Sequence, residues 1–376
     1  MPYRGQPMKI SIKSTDLAHY LKTVSRVPQR KATDVYGHLL LEVSNEVLRL
    51  SAHNGQQQMA LDVPADLYSL SGDGFSVCVP SNKFDQVISA LPKGAMVSIS
   101  YTEAKIVIAS GRSRFSLATL PAEQFPVMEF SPEQSKGELS ITGAALSTAI
   151  HQVGFCAARN DVRVFLNGVL FEFQPGIMTL AASDGLRLGV VEVPVDGNPM
   201  QQFILPSACL EDVCQFLGTG GVQIATSGNM VRFSRAGGVL HTKLIDGNFP
   251  DFRRLIAAAQ KGDLARVSRD EFAGAMARVG LLSEGVVSSV RLAVSADTIS
   301  VQSVGGSATD IADDVLPCDY HAEPLEVGFN GVLACEIVRS LGASEIEVIF
   351  TGAASGTLLR ARDLPSHSFV LMPVRL

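Results

Sequence analysis

Apolar residues recur along this chain in two rhythms, and their alternation repeats three times. "ISIKSTDLAHYLKTVSRV" starts as a period-two strand and continues with Leu17, Leu21 and Val24 on one helical face. "LSITGAALSTAIHQVGFC" repeats the design with Leu146, Ile150 and Val153, and "ARVSRDEFAGAMARVGLL" with Phe272, Met276 and Val279. The copies begin 129 and 126 residues apart, counted from Leu17 to Leu146 to Phe272. A second unit lies midway through each copy. "VCVPSNKFDQVISAL", "FILPSACLEDVCQFL" and "VGFNGVLACEIVRSL" each read as a strand, a Pro-Ser or Asn-Gly break, and a helix apolar on one side. Helices are therefore predicted over 14–27, 80–91, 143–160, 206–217, 268–281 and 330–341.

Between them run short alternating segments such as "HLLLEVS", "VLRLSAH", "KIVIAS", "RFSLAT", "VRLAVS" and "IEVIF". These predict antiparallel strands with one buried face. Each repeat is then α+β, with two helices packed on one side of its sheet. The pattern places a short extension at 1–7 and domains at 8–130, 131–258 and 259–376. Linkers are predicted at 125–137 and 256–263, where proline, glycine and charge collect. The second face of the helices carries small and polar residues, such as Ser14, Thr23 and Ser147. That face is either ordinary solvated surface or the lining of one shared concavity.

Composition narrows the picture. Of 376 residues 46% are hydrophobic, ample for two or three cores. No apolar run approaches the ~20 residues needed to span a membrane. The opening "MPYRGQPMKISI" lacks the apolar stretch of a signal peptide, so a cytoplasmic protein without a membrane partner is expected. The six cysteines form no C-x-x-C pair and read as reduced, buried, small hydrophobes. A formal charge of −6 opposes wrapping nucleic acid with a generally basic surface.

Searches for catalytic patterns return little. The sequence has no phosphate-binding G-x-x-x-x-G-K-[ST], no dinucleotide G-x-G-x-x-G after a strand, no H-E-x-x-H and no G-x-S-x-G. The seven histidines show no metal-ligand spacing. "SDG" at Ser183 to Gly185 reads as a tight turn rather than an acidic catalytic loop. A non-enzymatic protein with no cofactor and no bound metal is expected.

Five further stretches carry a resemblance: "VRVFLNGVLFEF" (162–173), "ASDGLRLGVVEV" (182–193), "LIDGNFPDFRRLI" (244–256), "GRSRFSLATLPAEQFP" (111–126) and the terminal "MPVRL". On the threefold repeat, and in this order from Met8 to Leu376, they resemble the bacterial sliding clamp, the β subunit of DNA polymerase III. The resemblance implies the DNA clamp fold: three similar domains per chain, helices on the inner face and antiparallel sheets outside. It also implies a head-to-tail dimeric ring around duplex DNA. Expected partners are double-stranded DNA, held topologically and without sequence preference, a second copy of the chain, and DNA polymerase, clamp loader and repair proteins. A closed ring is retained by topology, so it needs few strong phosphate contacts, which accommodates the acidic charge. The six predicted helices bear as many bases (Lys22, Arg26, Lys83, Arg159, Arg269, Arg278, Arg339) as acids (Asp16, Asp85, Glu211, Asp212, Asp270, Glu271, Glu336).

The resemblance also implies roles. Arg30, Lys31, Asn160 and Arg163 fall at DNA-contacting positions, the basic pair being alternatively a solvated loop. Val164 departs from the polar or aromatic residues usual there. Arg112, Arg114, Phe115 and Leu117, with Leu281 and Leu282, fall at the subunit interface. The two C-terminal leucines are alternatively internal core. The opposing acidic loop is thin, with Asp310, Asp313 and Asp314. A cleft for short peptides with leucine and phenylalanine anchors is implied at Leu166, Ser183, Gly185, Leu186, Arg187, Leu188, Pro250, Leu255, Asn330, Val370, Met372, Pro373, Val374 and Arg375. Leu186 and Leu333 replace the family's usual histidine and aromatic, so an altered partner preference is expected. A specialised accessory clamp, or a monomeric clamp-fold scaffold that binds peptides without forming a ring, are the alternatives.

Overall fold

The computed structural model describes residues 8–376 apart from 30, 33, 45–46, 73, 103, 132, 134–136, 198–200, 283–287 and 305–310. Among the described residues lie seven α-helices: α1 (Ser14–Val24), α2 (Ser81–Ala90), α3 (Gly143–Gly154), α4 (Leu210–Leu217), α5 (Phe252–Ala259), α6 (Arg269–Gly280) and α7 (Gly331–Ser340). Six stand where the two repeated units put them, and Leu17, Leu21, Val24, Leu146, Ile150, Val153, Phe272, Met276 and Val279 are all buried. Their ends fall short of the predicted ones for local reasons. α1 stops before Val27, because the residue ahead of Pro28 is disfavoured in helical conformation. The stretch ahead of α4 is a 3-10 turn, Ser207–Cys209, and Gly218 ends α4 at φ +63°.

The chain divides into two compact units. One comprises Met1–Ser147, Asp196–Gln201 and Cys209–Leu244; the other comprises Thr148–Val195, Gln202–Ala208 and Ile245–Leu376. The first contains a five-stranded and a ten-stranded sheet, the second a nine-stranded and a four-stranded sheet, all pairings antiparallel. Both large sheets run across the predicted repeat boundaries. In the first unit Gln57–Val63 pairs with Gly238–Lys243, and in the second Arg187–Pro194 pairs with Leu364–Leu371. α1 packs beside α2 in the first unit and α6 beside α7 in the second.

Neither predicted linker is a free connector. In the first, Phe125 packs edge-on against His53, the Met128 amide donates to the Gln58 side chain, and Phe130 takes Arg232 and His241 against its ring. The second is corrected outright: 252–259 is helix α5, and a strand follows at Asp263–Ser268. The Asp251 side chain caps α5 by accepting from the Arg254 amide, and the run Ala257 to Ala259 favours helix. No described helix is long and apolar enough to cross a membrane. All six cysteines are free; four are buried, and Cys214 and Cys318 are half-buried.

His241 gives this strap a pH dependence. Burial first, and the Arg232 charge second, lower its pKa to about 4, and its Nδ1 has no hydrogen-bond partner among the described residues. The folded state therefore prefers the neutral ring. Its contribution is complete above the unfolded value of 6.5 and is lost as pH falls from there toward 4. Denaturant titrations of the wild type between pH 7 and pH 5 are expected to lose about 1–2 kcal/mol more than those of His241→Phe. Equal losses would remove His241 from the account.

Candidate functional site

The second unit contains an apolar cavity of about 290 Å³. It sits on a core cluster that includes Leu170, Leu188, Val190, Phe252, Leu358 and Val370. Four pieces of chain wall it: Arg163 to Leu166, the tight turn before the strand Arg187–Pro194, the segment from Phe249 into α5, and the C-terminal strand with Met372 just past it. Nine of the fourteen residues implied for a peptide cleft line it, namely Leu166, Ser183, Gly185, Arg187, Leu188, Pro250, Leu255, Val370 and Met372.

Five do not, and their positions explain why. Leu186 faces outward on the turn, while its carbonyl accepts from the Met372 amide at 2.8 Å. Pro373, Val374 and Arg375 continue away from the cavity, and the Val374 amide donates to Gly328 on the strand Leu325–Asn330 at 2.9 Å. A Cβ on Gly328 would stand 2.6 Å from Leu376 and 2.8 Å from the Val374 carbonyl, so glycine is what lets the tail lie there. Asn330 caps α7, its side-chain oxygen accepting from the Val332 and Leu333 amides. Leu333 is half-buried on that helix, outside the cavity lining.

Four lining residues were not expected there: Arg163, Phe165, Phe249 and Phe252. The phenylalanines lie inside the resembling stretches "VRVFLNG" and "NFPDFRR", which carry no mark that separates a pocket wall from core. Arg163, implied as a DNA-contacting position, also lines this cavity. Its guanidinium pairs with Asp161 through Nε at 3.0 Å and Nη2 at 2.9 Å, and these hydrogen bonds lower the Asp161 pKa to about 2. It also lies against Gly185, where a Cβ would come within 2.9 Å of Nη2.

The turn is built by its own side chains. Asp184 Oδ1 accepts from the Leu186 and Arg187 amides at 2.9 and 3.0 Å, and Ser183 Oγ donates to the Arg187 carbonyl at 2.7 Å. Gly185 supplies the required φ of +90°. The "SDG" stretch is thus a turn, as its composition suggests. The resulting cavity is greasy, with a few backbone and guanidinium groups at its edge, which suits an apolar anchor better than a reacting group.

The remaining expected residues lie elsewhere. Arg30 and Asp310 lie outside the described residues. Lys31 is exposed in the first unit, while Asn160 (φ +60°), Arg163 and Val164 share an exposed loop in the second. Arg112 and Arg114 are exposed on and beside Ser113–Ala118, the edge strand of the five-stranded sheet, where Phe115 and Leu117 are half-buried. Leu281 and Leu282 follow α6 with 82% and 43% of their surface exposed, which excludes the core alternative for them. The four-stranded sheet ends on the edge strand Asp313–Pro317 with Val315 exposed, and Asp314 there pairs with Arg278. Among the helix bases, Arg26 pairs with Glu211 and Asp212 and Arg269 with Asp270. Lys22, Lys83, Arg159 and Arg339 form no ion pair among the described residues.

Comparison with known proteins spans nearly the whole chain. Residues 8–129 match the N-terminal domain of the DNA polymerase III beta subunit, 140–251 its central domain and 253–375 its C-terminal domain. The beta sliding clamps of Salmonella typhimurium and Escherichia coli are each 28% identical over 373 residues, covering 98% of this chain and 100% of theirs. Among solved structures, a Pseudomonas aeruginosa sliding clamp bound to griselimycin is similar at a TM-score of 0.93 and 27% identity, covering 99% of this chain and 100% of that one. A Caulobacter crescentus beta sliding clamp is similar at 0.90 and 27%, with the same coverage.

Proposed function

The chain belongs to the DNA polymerase III beta-subunit family along all three domains, and from that premise we propose that it acts as a sliding clamp, a processivity factor rather than a catalyst. It encircles duplex DNA as a dimer and tethers the replicative polymerase and other replication and repair proteins. The observation that carries the tethering role is the apolar cavity walled by the C-terminal strand. A short peptide fills it with leucine and phenylalanine anchors. Each buried anchor contributes roughly 1.5–3 kcal/mol, so two or three give affinities around micromolar after ordering costs. Affinity in that range lets partners exchange on one ring.

Two sheet edges support ring closure. Ser113–Ala118 carries Arg114 with Arg112 beside it, and Asp313–Pro317 carries Asp313 and Asp314. Pairing one chain's basic edge with the other chain's acidic edge removes both unpaired ladders and joins opposite charges. Leu281 adds an apolar contact to that seam.

The test is retention on DNA. Loaded on a nicked circle, the protein is expected to stay through a high-salt wash and to leave once the circle is cut linear. Loss from the intact circle at high salt, where phosphate contacts are screened, would reject the ring and favour the monomeric scaffold.

A further inference from the structure

We propose that Glu336, on α7 and outside the cavity, is a positioning residue that sets peptide affinity by holding Arg187. The inference rests on the peptide-docking reading above and adds a determinant that the peptide does not touch.

Arg187 is only 9% exposed and makes three polar side-chain contacts that come from three different pieces of chain. Nε donates to Asp184 Oδ2 at 3.1 Å, Nη2 donates to the Phe155 carbonyl at 2.6 Å, and Nη1 donates to Glu336 Oε2. The guanidinium also lies over the Phe155 ring, 5.1 Å from its centre. A buried guanidinium keeps its place only while its donors are satisfied, and removing one acceptor leaves an uncompensated donor. Two of the three acceptors, Asp184 and Phe155, sit on the turn itself or just past α3. Glu336 is the one that fixes the fork to a separate helix.

The main chain of Arg187 is part of the cavity's architecture. Its carbonyl accepts from Ser183 Oγ, and its backbone pairs with Leu371. Its neighbour Leu186 accepts from the Met372 amide. The turn wall (Ser183, Gly185, Leu188) and the tail wall (Val370, Met372) therefore meet at this residue. A shift of the Arg187 fork away from α7 moves both walls together, and tight apolar contacts are sensitive to such shifts.

The experiment measures affinity for a fluorescein-labelled six-residue peptide with leucine and phenylalanine anchors, using the full chain. Glu336→Ala is expected to weaken binding about three- to tenfold, the loss of a charge-assisted hydrogen bond discounted for the half-exposed carboxylate. Glu336→Gln, which keeps an acceptor, should fall between it and the wild type, and it also serves if the alanine variant folds poorly. In an Arg187→Ala background, Glu336→Ala should change affinity no further. A general loss of fold stability would not produce that non-additivity. Wild-type affinity in the Glu336→Ala variant, or an equal loss in both backgrounds, would overturn the proposal while leaving peptide docking intact. If the wild type itself fails to bind at high micromolar peptide, the docking reading falls and this inference with it.

Discussion

Replacing both Leu255 and Met372 with aspartate is expected to reduce peptide affinity more than 100-fold while leaving the fold intact. Both side chains line the cavity, yet 48% of Leu255 and 37% of Met372 is open to solvent. In the free protein the new carboxylates remain hydrated, so thermal unfolding should hardly move. A bound leucine or phenylalanine anchor would dehydrate them without offering a partner, at a cost of several kcal/mol, on top of the lost apolar contact. The amide of Met372 keeps its bond to the Leu186 carbonyl, because that bond involves only the backbone. Fluorescence anisotropy with the anchored peptide reads the result. Retention of affinity within fivefold would show that the peptide docks elsewhere.

The second large effect concerns the seam. Leu281→Asp is expected to convert the proposed dimer to monomers at micromolar concentration, a weakening of about 100-fold or more. Leu281 is almost wholly exposed in the single chain, so it contributes little to the fold, and a carboxylate there is harmless until an apolar partner surface closes over it. Sizing at several concentrations checks the association state, and retention on a nicked circle should fail in parallel. Phe115→Asp, on the edge strand proposed for the other side of the seam, should behave alike, with some added instability because that ring is half-buried. A dimer that survives Leu281→Asp would place the seam elsewhere, and a wild type that is itself monomeric would favour the scaffold alternative.

Much of the architecture was legible because the chemistry was periodic. Leu17, Leu21 and Val24 announce α1, as Phe272, Met276 and Val279 announce α6, since each helix buries one face completely. α5 carries the same kind of signal, with Phe252, Leu255, Ile256 and Ala259 at offsets 0, 3, 4 and 7 on one face and the Asp251 cap ahead of them. It escaped because it is only eight residues long and lies where proline, glycine and charge mark a linker. Part of the cavity was readable from the resembling stretches, but Phe165, Phe249 and Phe252 carry no mark that separates a pocket wall from a core. Asn330 and Val374 are grouped with the cleft by the family resemblance alone. Only the hydrogen bonds reveal that one caps a helix and the other bonds Gly328. The salt link from Arg187 to Glu336 joins residues far apart in sequence, beyond any local pattern.

The ladder between Gln57–Val63 and Gly238–Lys243, and its counterpart between Arg187–Pro194 and Leu364–Leu371, have a consequence for how such a chain acquires its fold. The repeat visible in the sequence is not the cooperative unit. Each compact unit borrows strands from the neighbouring repeat, so neither can be completed until the middle repeat has been synthesised, and the second waits for the C-terminal strand. A nascent first repeat would expose the Gln57–Val63 edge until Gly238–Lys243 emerges, a hazard for self-association during synthesis. The three copies are therefore interdependent, and a cut at a repeat boundary would leave an unpaired strand edge on each side of it.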